Sequence, residues 1–281
     1  MRSKLSLIGL FLVFSYGSWH FGRLRSQDRP NLRSDYSPQT SCLSLISWNI
    51  GYFDYETDSR AQDHDLEHIA SVITEASTDV VALQEIATPE QVGTLHELLH
   101  GQYPYQTLAR GFRTDRFVVI LSSIPFQNET HIATSVGRDA AAVALALLPG
   151  YREVTVVNCH ADAFNSRRRR YFVTDVIDWH RSSGRSNVIL AGDFNLDLTP
   201  VESSDLFTDD KKNDSESYSL ILENFRDSGT SAGPTSSFDR RIDYVFLSSQ
   251  ELEVTEFRVL RGKLVGKMDH HPLLVRFGWK R

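Results

Sequence analysis

The chain has 281 residues, enough for one large domain or two small ones, and either would bury a sizeable core. At 41% apolar and 23% charged, with 16 Gly, 9 Pro and 2 Cys, it is not low-complexity, collagen-like, disulfide-dense or multi-spanning in a membrane. A net charge of −6 gives no global attraction for nucleic acid, so binding a polyanion would need a local basic patch or a bound cation.

Residues 1–21 open with Arg2 and Lys4, run apolar from Leu5 to about Tyr16 and end near Gly17, Ser18 and Trp19. That is the pattern of an export or anchoring signal, which predicts a secreted, periplasmic or membrane-surface protein. Ser15 and Gly17 suit cleavage, whereas extension through Trp19 and Phe21 to Arg23 and Arg25 gives a short membrane anchor; both readings stand. Residues 22–41 are polar, with Arg and Pro and no apolar period, and read as a tether ahead of a domain spanning 42–281.

Nine short β-branched or aromatic runs follow: 43–50, 79–85, 116–122, 140–148, 153–160, 187–193, 241–248, 252–260 and 271–277. Nine strands of this length predict two sheets. Helical periods lie between some of them. Leu66, Ile69, Ala70 and Ile73 share a face over 63–77, as do Phe172, Val173, Val176, Ile177 and His180 over 167–182. The stretches 209–218 and 228–237 read as surface loop, and no internal repeat is visible. Mixed strands and helices predict one layered α/β or α+β domain. Cys42 and Cys159 permit a disulfide, but Cys159 lies in an apolar run and reads better as a buried thiol.

Polar residues recur where apolar runs end: Asn49, Glu85, His160, then Asp193 and Asn195 after NVILAG. Layered folds place sites at such positions, because the strand is rigid and the loop beyond it accessible. If the backbone stays extended past Gly192, Asp193 and Asn195 project to one side and can orient a water or a substrate oxygen; the competing reading is a turn bonded to its own backbone. Asp243 sits inside an apolar strand, where an unpaired charge is costly. A contact with His270, in the Asp269-His270-His271-Pro272 run, would relieve it, as would an ion pair with Arg240 or Arg241.

The ordered set SWNI (47–50), LQEI (83–86), VVNCH (156–160), AGDFNLD (191–197), RIDYVFLS (241–248) and MDHHPLLVRF (268–277) resembles the endonuclease/exonuclease/phosphatase superfamily of metal-dependent phosphoesterases. The resemblance implies a four-layer α/β sandwich, with two mixed β-sheets packed face to face, helices on the outside and the site at one edge. It implies that Asn49 and Glu85 bind Mg²⁺, with Asp269 close to the ion and Mn²⁺ a substitute. Hard oxygen ligands suit such ions, and no soft Cys set suggests zinc. By the same resemblance Asp193 orients or deprotonates the attacking water and Asn195 places it or a phosphate oxygen. Asp243 fixes His270 as an imidazolium that stabilises phosphoryl oxygens, while His160 donates to a phosphoryl or leaving oxygen.

Gly51 replaces the Asp usual in the abasic-site endonuclease branch, and His160 replaces its Tyr. His160 is similar instead to the deoxyribonuclease, sphingomyelinase and inositol-phosphatase branches, although the tryptophan signatures of inositol 5-phosphatases are missing. Met268 stands where a Ser is common. The expected activity is Mg²⁺-dependent phosphodiester or nucleic-acid hydrolysis by in-line attack of water. The alternatives are lipid phosphodiester cleavage at a membrane, sphingomyelinase-like, and a catalytically silent binding protein. Arg167 to Arg170 open a helix, either as a solvated start or as a phosphate-contacting patch. No obligate protein partner is implied.

Overall fold

The computed structural model describes residues 42–51, 63–111, 116–147, 150, 152–198 and 208–280. Two parallel strand pairs organise it. β1 (Cys42–Asn49) lies beside β2 (Val80–Ile86), with α1 (Asp63–Ala76) between them in sequence; β7 (Arg152–His160) lies beside β8 (Val188–Asp193), with α3 (Ser166–Ser183) between them. A parallel pair needs a long crossover, and in each case a helix supplies it. The remaining strands pair antiparallel: β3 (Tyr105–Arg110), β4 (Phe117–Ser122), β5 (Phe126–Ile132), β6 (Ala140–Leu147), the two-residue β9 (Arg226–Asp227), β10 (Asp243–Ser248), β11 (Leu252–Val259) and β12 (Leu273–Trp279). Two mixed six-stranded sheets result, ordered β11-β12-β1-β2-β4-β3 and β5-β6-β7-β8-β10-β9.

Alternation along the strands builds the layers. In the first sheet Ile46, Trp48, Val81, Leu83, Val119 and Leu121 pack against α1 and against α2 (Pro89–Leu98). In the second, Val157, Cys159, Val188, Leu190, Tyr244 and Phe246 pack against Phe172, Val173, Val176 and Ile177 of α3 and Ile221 of α4 (Lys211–Leu222). The intervening residues, such as Leu45, Ala82, Ile120, Val156, Ile189 and Val245, are fully buried where the sheets face each other. This is the four-layer sandwich the sequence predicts.

Three expectations need correction. The stretch 209–218 belongs largely to α4: Asp210 caps the helix by accepting from the backbone N–H groups of Lys212 and Asn213, and the buried face includes Asp214 and Ser217. The stretch 228–237 is irregular but not all surface, since Thr235 and Ser236 are buried and Ser236 bridges to His270. The last strand starts at Leu273, after Pro272, which has no N–H to give a ladder. Both cysteines are free, Cys159 buried and Cys42 exposed. The signal or anchor over 1–21 and the tether over 22–41 lie outside the described residues. Among those described, no helix is long and apolar enough to cross a membrane.

Candidate active site

The carboxyl ends of both parallel pairs meet across the sandwich, so β1, β2, β7 and β8 deliver Asn49, Glu85, His160 and Asp193 to one edge. Asn49, His160 and Asp193 arrive there by strand parity, each continuing the row that faces the opposite sheet. Glu85 does not. Regular alternation would set it with Val81 and Leu83 against the helices, but its φ is +61° and the β2–β4 register shifts between Leu83 and Ile86. The bulge gives Ile86 the helix-facing place and turns Glu85 inward.

Around Asp193 the contacts are continuous. Asn49 Nδ2 donates to Asp193 Oδ2 at 3.0 Å and to Glu85 Oε1 at 3.5 Å, while Asn49 Oδ1 accepts from the backbone N–H of Gly51. Asn195 gives its Nδ2 to Asp193 Oδ2 and its backbone N–H to Oδ1, both at 2.9 Å. Of the two readings of this stretch, the structure shows the turn: Asn195 is left-handed, φ +52°, its N–H bonds Asp193 Oδ1, and the two side chains converge through it. Gly192 sits at φ +141°, where an added Cβ would lie 1.9 Å from the Cys159 carbonyl oxygen. His160 Nε2 lies 3.5 Å from Glu85 Oε1 and 3.7 Å from Asp193 Oδ2.

A second group approaches Asp193 from the other side. His270 Nδ1 is 3.0 Å from both oxygens of Asp243, and its Nε2 is 3.7 Å from Asp193 Oδ2 and 3.6 Å from Asp269 Oδ1. Trp48 Nε1 donates to the His270 carbonyl at 2.8 Å and fixes its backbone. Asp243 pairs with neither Arg240 nor Arg241; those ion pair with Asp197 and Asp227. All eight expected residues therefore reach one edge, with Asp269 joined to the rest through His270.

Electrostatics divide the two imidazoles. Burial and the nearby Arg138, His270 and Arg116 hold His160 well below the ordinary histidine range, so it is neutral. Burial also opposes charge on His270, but Asp243, Asp269 and Asp193 outweigh it and raise its pKa well above the ordinary value. Burial pushes Asp193 up to about 7 and Asp269 up to about 6, with His270 pulling both down. Crowded, desolvated carboxylates of this kind fit a hard divalent cation, which would favour their ionised forms. Glu85 and Asp269 offer oxygen, and Asn49 offers the second lone pair of the Oδ1 that accepts the Gly51 N–H. Asp193, Asp243 and His270 form a tighter trio, with ligand atoms within 4.8 Å of one another, but the His270 and Asp243 atoms are spent on each other.

Sequence reasoning missed Thr235, whose Oγ1 donates to Asp243 Oδ2 at 2.7 Å and accepts from the backbone N–H groups of Ile242 and Asp243. It also missed Arg116, 3.7 Å from Glu85 Oε2, and the buried Arg138, which ion pairs with Asp162. The residue pattern signals none of these, because the loops around them set their approach. The arginine run is mostly spent: Arg168 pairs with Asp162, Arg169 with Asp214 and Arg170 with Glu216, while Arg167 bonds Tyr171.

The Endonuclease/Exonuclease/phosphatase family profile matches residues 46–265. No curated protein sequence matches the chain. Among solved structures, an endonuclease/exonuclease/phosphatase from Beutenbergia cavernae has a TM-score of 0.67 at 21% identity, covering 85% of this chain and 72% of its own. The human Nocturnin catalytic domain with bound sulfate gives 0.65 at 17%, covering 88% and 97%. A mannosyl-6-phosphatase from Bacteroides thetaiotaomicron gives 0.62 at 18%, covering 84% and 99%. At these identities the likeness is one of fold, and the profile match carries the assignment: the chain belongs to the endonuclease/exonuclease/phosphatase family and is a phosphoric ester hydrolase.

Proposed function

We propose that the chain hydrolyses phosphodiesters with Mg²⁺, or Mn²⁺ in its place, by in-line attack of a water oriented by Asp193. The supporting observation is the Asp243–His270 pair set beside Asp193, whose carboxylate plane is fixed by the amides of Asn49 and Asn195. Asp193, raised toward neutrality by burial, is poised to take the proton of the water. His270, kept charged by the carboxylates around it, presents an imidazolium to the phosphoryl oxygens. His160 is neutral and donates one N–H to a phosphoryl or leaving oxygen. Glu85 and Asn49, with Asp269 alongside, would hold the Mg²⁺, which would supply positive charge for the substrate oxygens.

A diester carries one negative charge where a monoester near neutral pH carries close to two. The four carboxylates of Glu85, Asp193, Asp243 and Asp269 therefore favour the diester. Among the described residues, Arg168, Arg169 and Arg170 are ion paired with Asp162, Asp214 and Glu216, which weakens this run as a track for a long nucleic acid and favours a short substrate. The test is a panel of a dinucleotide, DNA, RNA, sphingomyelin vesicles and inositol phosphates, each with Mg²⁺ and with chelator. Chelator-sensitive cleavage of a diester is expected, falling by roughly 10²–10⁴ in Asp193→Asn. Failure on every diester, preference for monoesters, or indifference to chelator would overturn the reading.

A further inference from the structure

We infer that Asn158, outside the reacting groups, is a positioning residue that holds the bulge carrying Glu85. The inference rests on the reading of Glu85 as a cation ligand. Glu85 reaches the site only because β2 breaks its alternation there, with a left-handed residue and a register shift after Leu83. Such a break frees backbone groups in a dry interior, and those groups need partners. Asn158 bonds the backbone at the edge of this break from the other sheet. It is fully buried on β7, on the face turned to β2 and β4, and its Nδ2 donates to the carbonyls of Leu83 at 2.8 Å and Val119 at 2.9 Å. Leu83 and Val119 are cross-strand partners, the last in register before the bulge. Asn158 Oδ1 accepts from Gln84 Nε2 at 2.7 Å, and Gln84 is the residue immediately before Glu85.

Both amide hydrogens and the carbonyl oxygen of Asn158 are therefore spent on the segment leading into Glu85. Two residues further along the same strand, His160 meets Glu85 Oε1 at 3.5 Å. One strand thus sets both the backbone that aims Glu85 and the imidazole beside it. Without Asn158, β2 beyond the Leu83–Val119 pair would have reason to continue the regular ladder, which by parity turns Glu85 toward the helices.

The test is a cycle in the full-length chain: Asn158→Leu, Glu85→Gln and the two combined. Mg²⁺ affinity is read by calorimetry, and folding is checked by thermal midpoint and near-UV circular dichroism. Asn158→Leu should weaken Mg²⁺ binding roughly 10–100-fold, the scale for groups that orient ligands. In the Glu85→Gln background it should weaken binding no further. Unchanged affinity in folded Asn158→Leu, or losses that multiply in the double variant, would overturn the inference and leave the Glu85 reading standing. Normal affinity in Glu85→Gln would remove both. If Asn158→Leu does not fold, Gln84→Met, which cuts only the bond to Asn158 Oδ1 and those to Ser47 and Ala82, should give a smaller loss that also vanishes beside Glu85→Gln, and a loss that persists there overturns it.

Discussion

His270 Nδ1 sits 3.0 Å from both oxygens of Asp243, and Thr235 Oγ1 donates to Asp243 Oδ2 at 2.7 Å. Burial works against the charge on His270, so that charge depends on Asp243, the largest opposing contributor. Asp243→Asn should lower kcat by roughly 10²–10⁴, with a smaller change in KM. Thr235→Val keeps the shape but removes one bond to the carboxylate and strands two backbone N–H groups. A bond to a charged group is worth about 1.5–3 kcal/mol, so kcat should fall about 10–100-fold. Steady-state kinetics on a chromogenic diester check both; a native kcat in Thr235→Val would mean that Asp243 holds its place unaided.

Gly51 stands where the abasic-site branch carries Asp, and the structure gives a steric reason. A Cβ there would lie 2.0 Å from Glu85 Oε2 and 2.7 Å from Glu85 Cβ. The φ of Gly51 is not in the left-handed region, so alanine meets no backbone strain and its effect falls on Glu85. Gly51→Ala should weaken Mg²⁺ binding about tenfold or more, the scale of disturbed ligand geometry, with a modest change in thermal midpoint. Calorimetric titration beside a melting curve separates the two, and full affinity in the variant would place the ion away from this pose of Glu85.

Apolar runs made nine strands and two helices legible in the sequence, and with them the sheet pair that gathers the site. Three strands escaped because they are sheet edges: β5 is largely exposed and carries Gln127, Asn128 and Glu129, β3 has one buried row of Thr107 and Ala109, and β9 is only two residues long. Helix α4 escaped because its buried face holds Asp214 and Ser217, so no apolar stripe marks it. Residue type at strand ends picked out Asn49, Glu85, His160 and Asp193. How Glu85 and Asn195 reach the site was hidden, since both depend on left-handed backbone in non-glycine residues. Thr235 and Asn158 act through contacts spanning 8 to 75 positions, which no local pattern reports.

A cation that needs ionised carboxylates competes with protons for them. Burial raises Asp193 to about 7 and Asp269 to about 6. As pH falls through these values the carboxylates take up protons, so Mg²⁺ affinity should fall between about pH 8 and 5.5. The stability sign follows. In the chelated protein both groups bind protons more tightly folded than unfolded, so their contribution to stability is present at acid pH and is lost as pH rises through 6 to 7. Added Mg²⁺ should therefore raise the melting midpoint more at pH 8 than at pH 5.5, and an equal increment at both would separate these carboxylates from the ion.

Arg169 and Asp214 form a fully buried pair joining α3 to α4, with Nε to Oδ1 at 2.8 Å and Nη2 to Oδ2 at 2.9 Å. Arg169 also donates to the Asp162 carbonyl and to Thr208 Oγ1, and Asp214 accepts from the backbone N–H of Asp197, two residues past Asn195. Burial nevertheless raises the pKa of Asp214 against the pull of Arg169, as taking a carboxylate out of water does, and such desolvation can cancel the gain from a buried pair. Breaking the pair should therefore hurt more than replacing it. Arg169→Met leaves a buried carboxylate without its partner and should cost about 3–5 kcal/mol of unfolding free energy. Arg169→Met with Asp214→Leu removes the orphaned charge and should recover most of that loss, short of the bonds to Asp162, Thr208 and Asp197. Denaturant unfolding of the single and double variants measures the difference, and a double variant as unstable as Arg169→Met would show the pair to be a net source of stability.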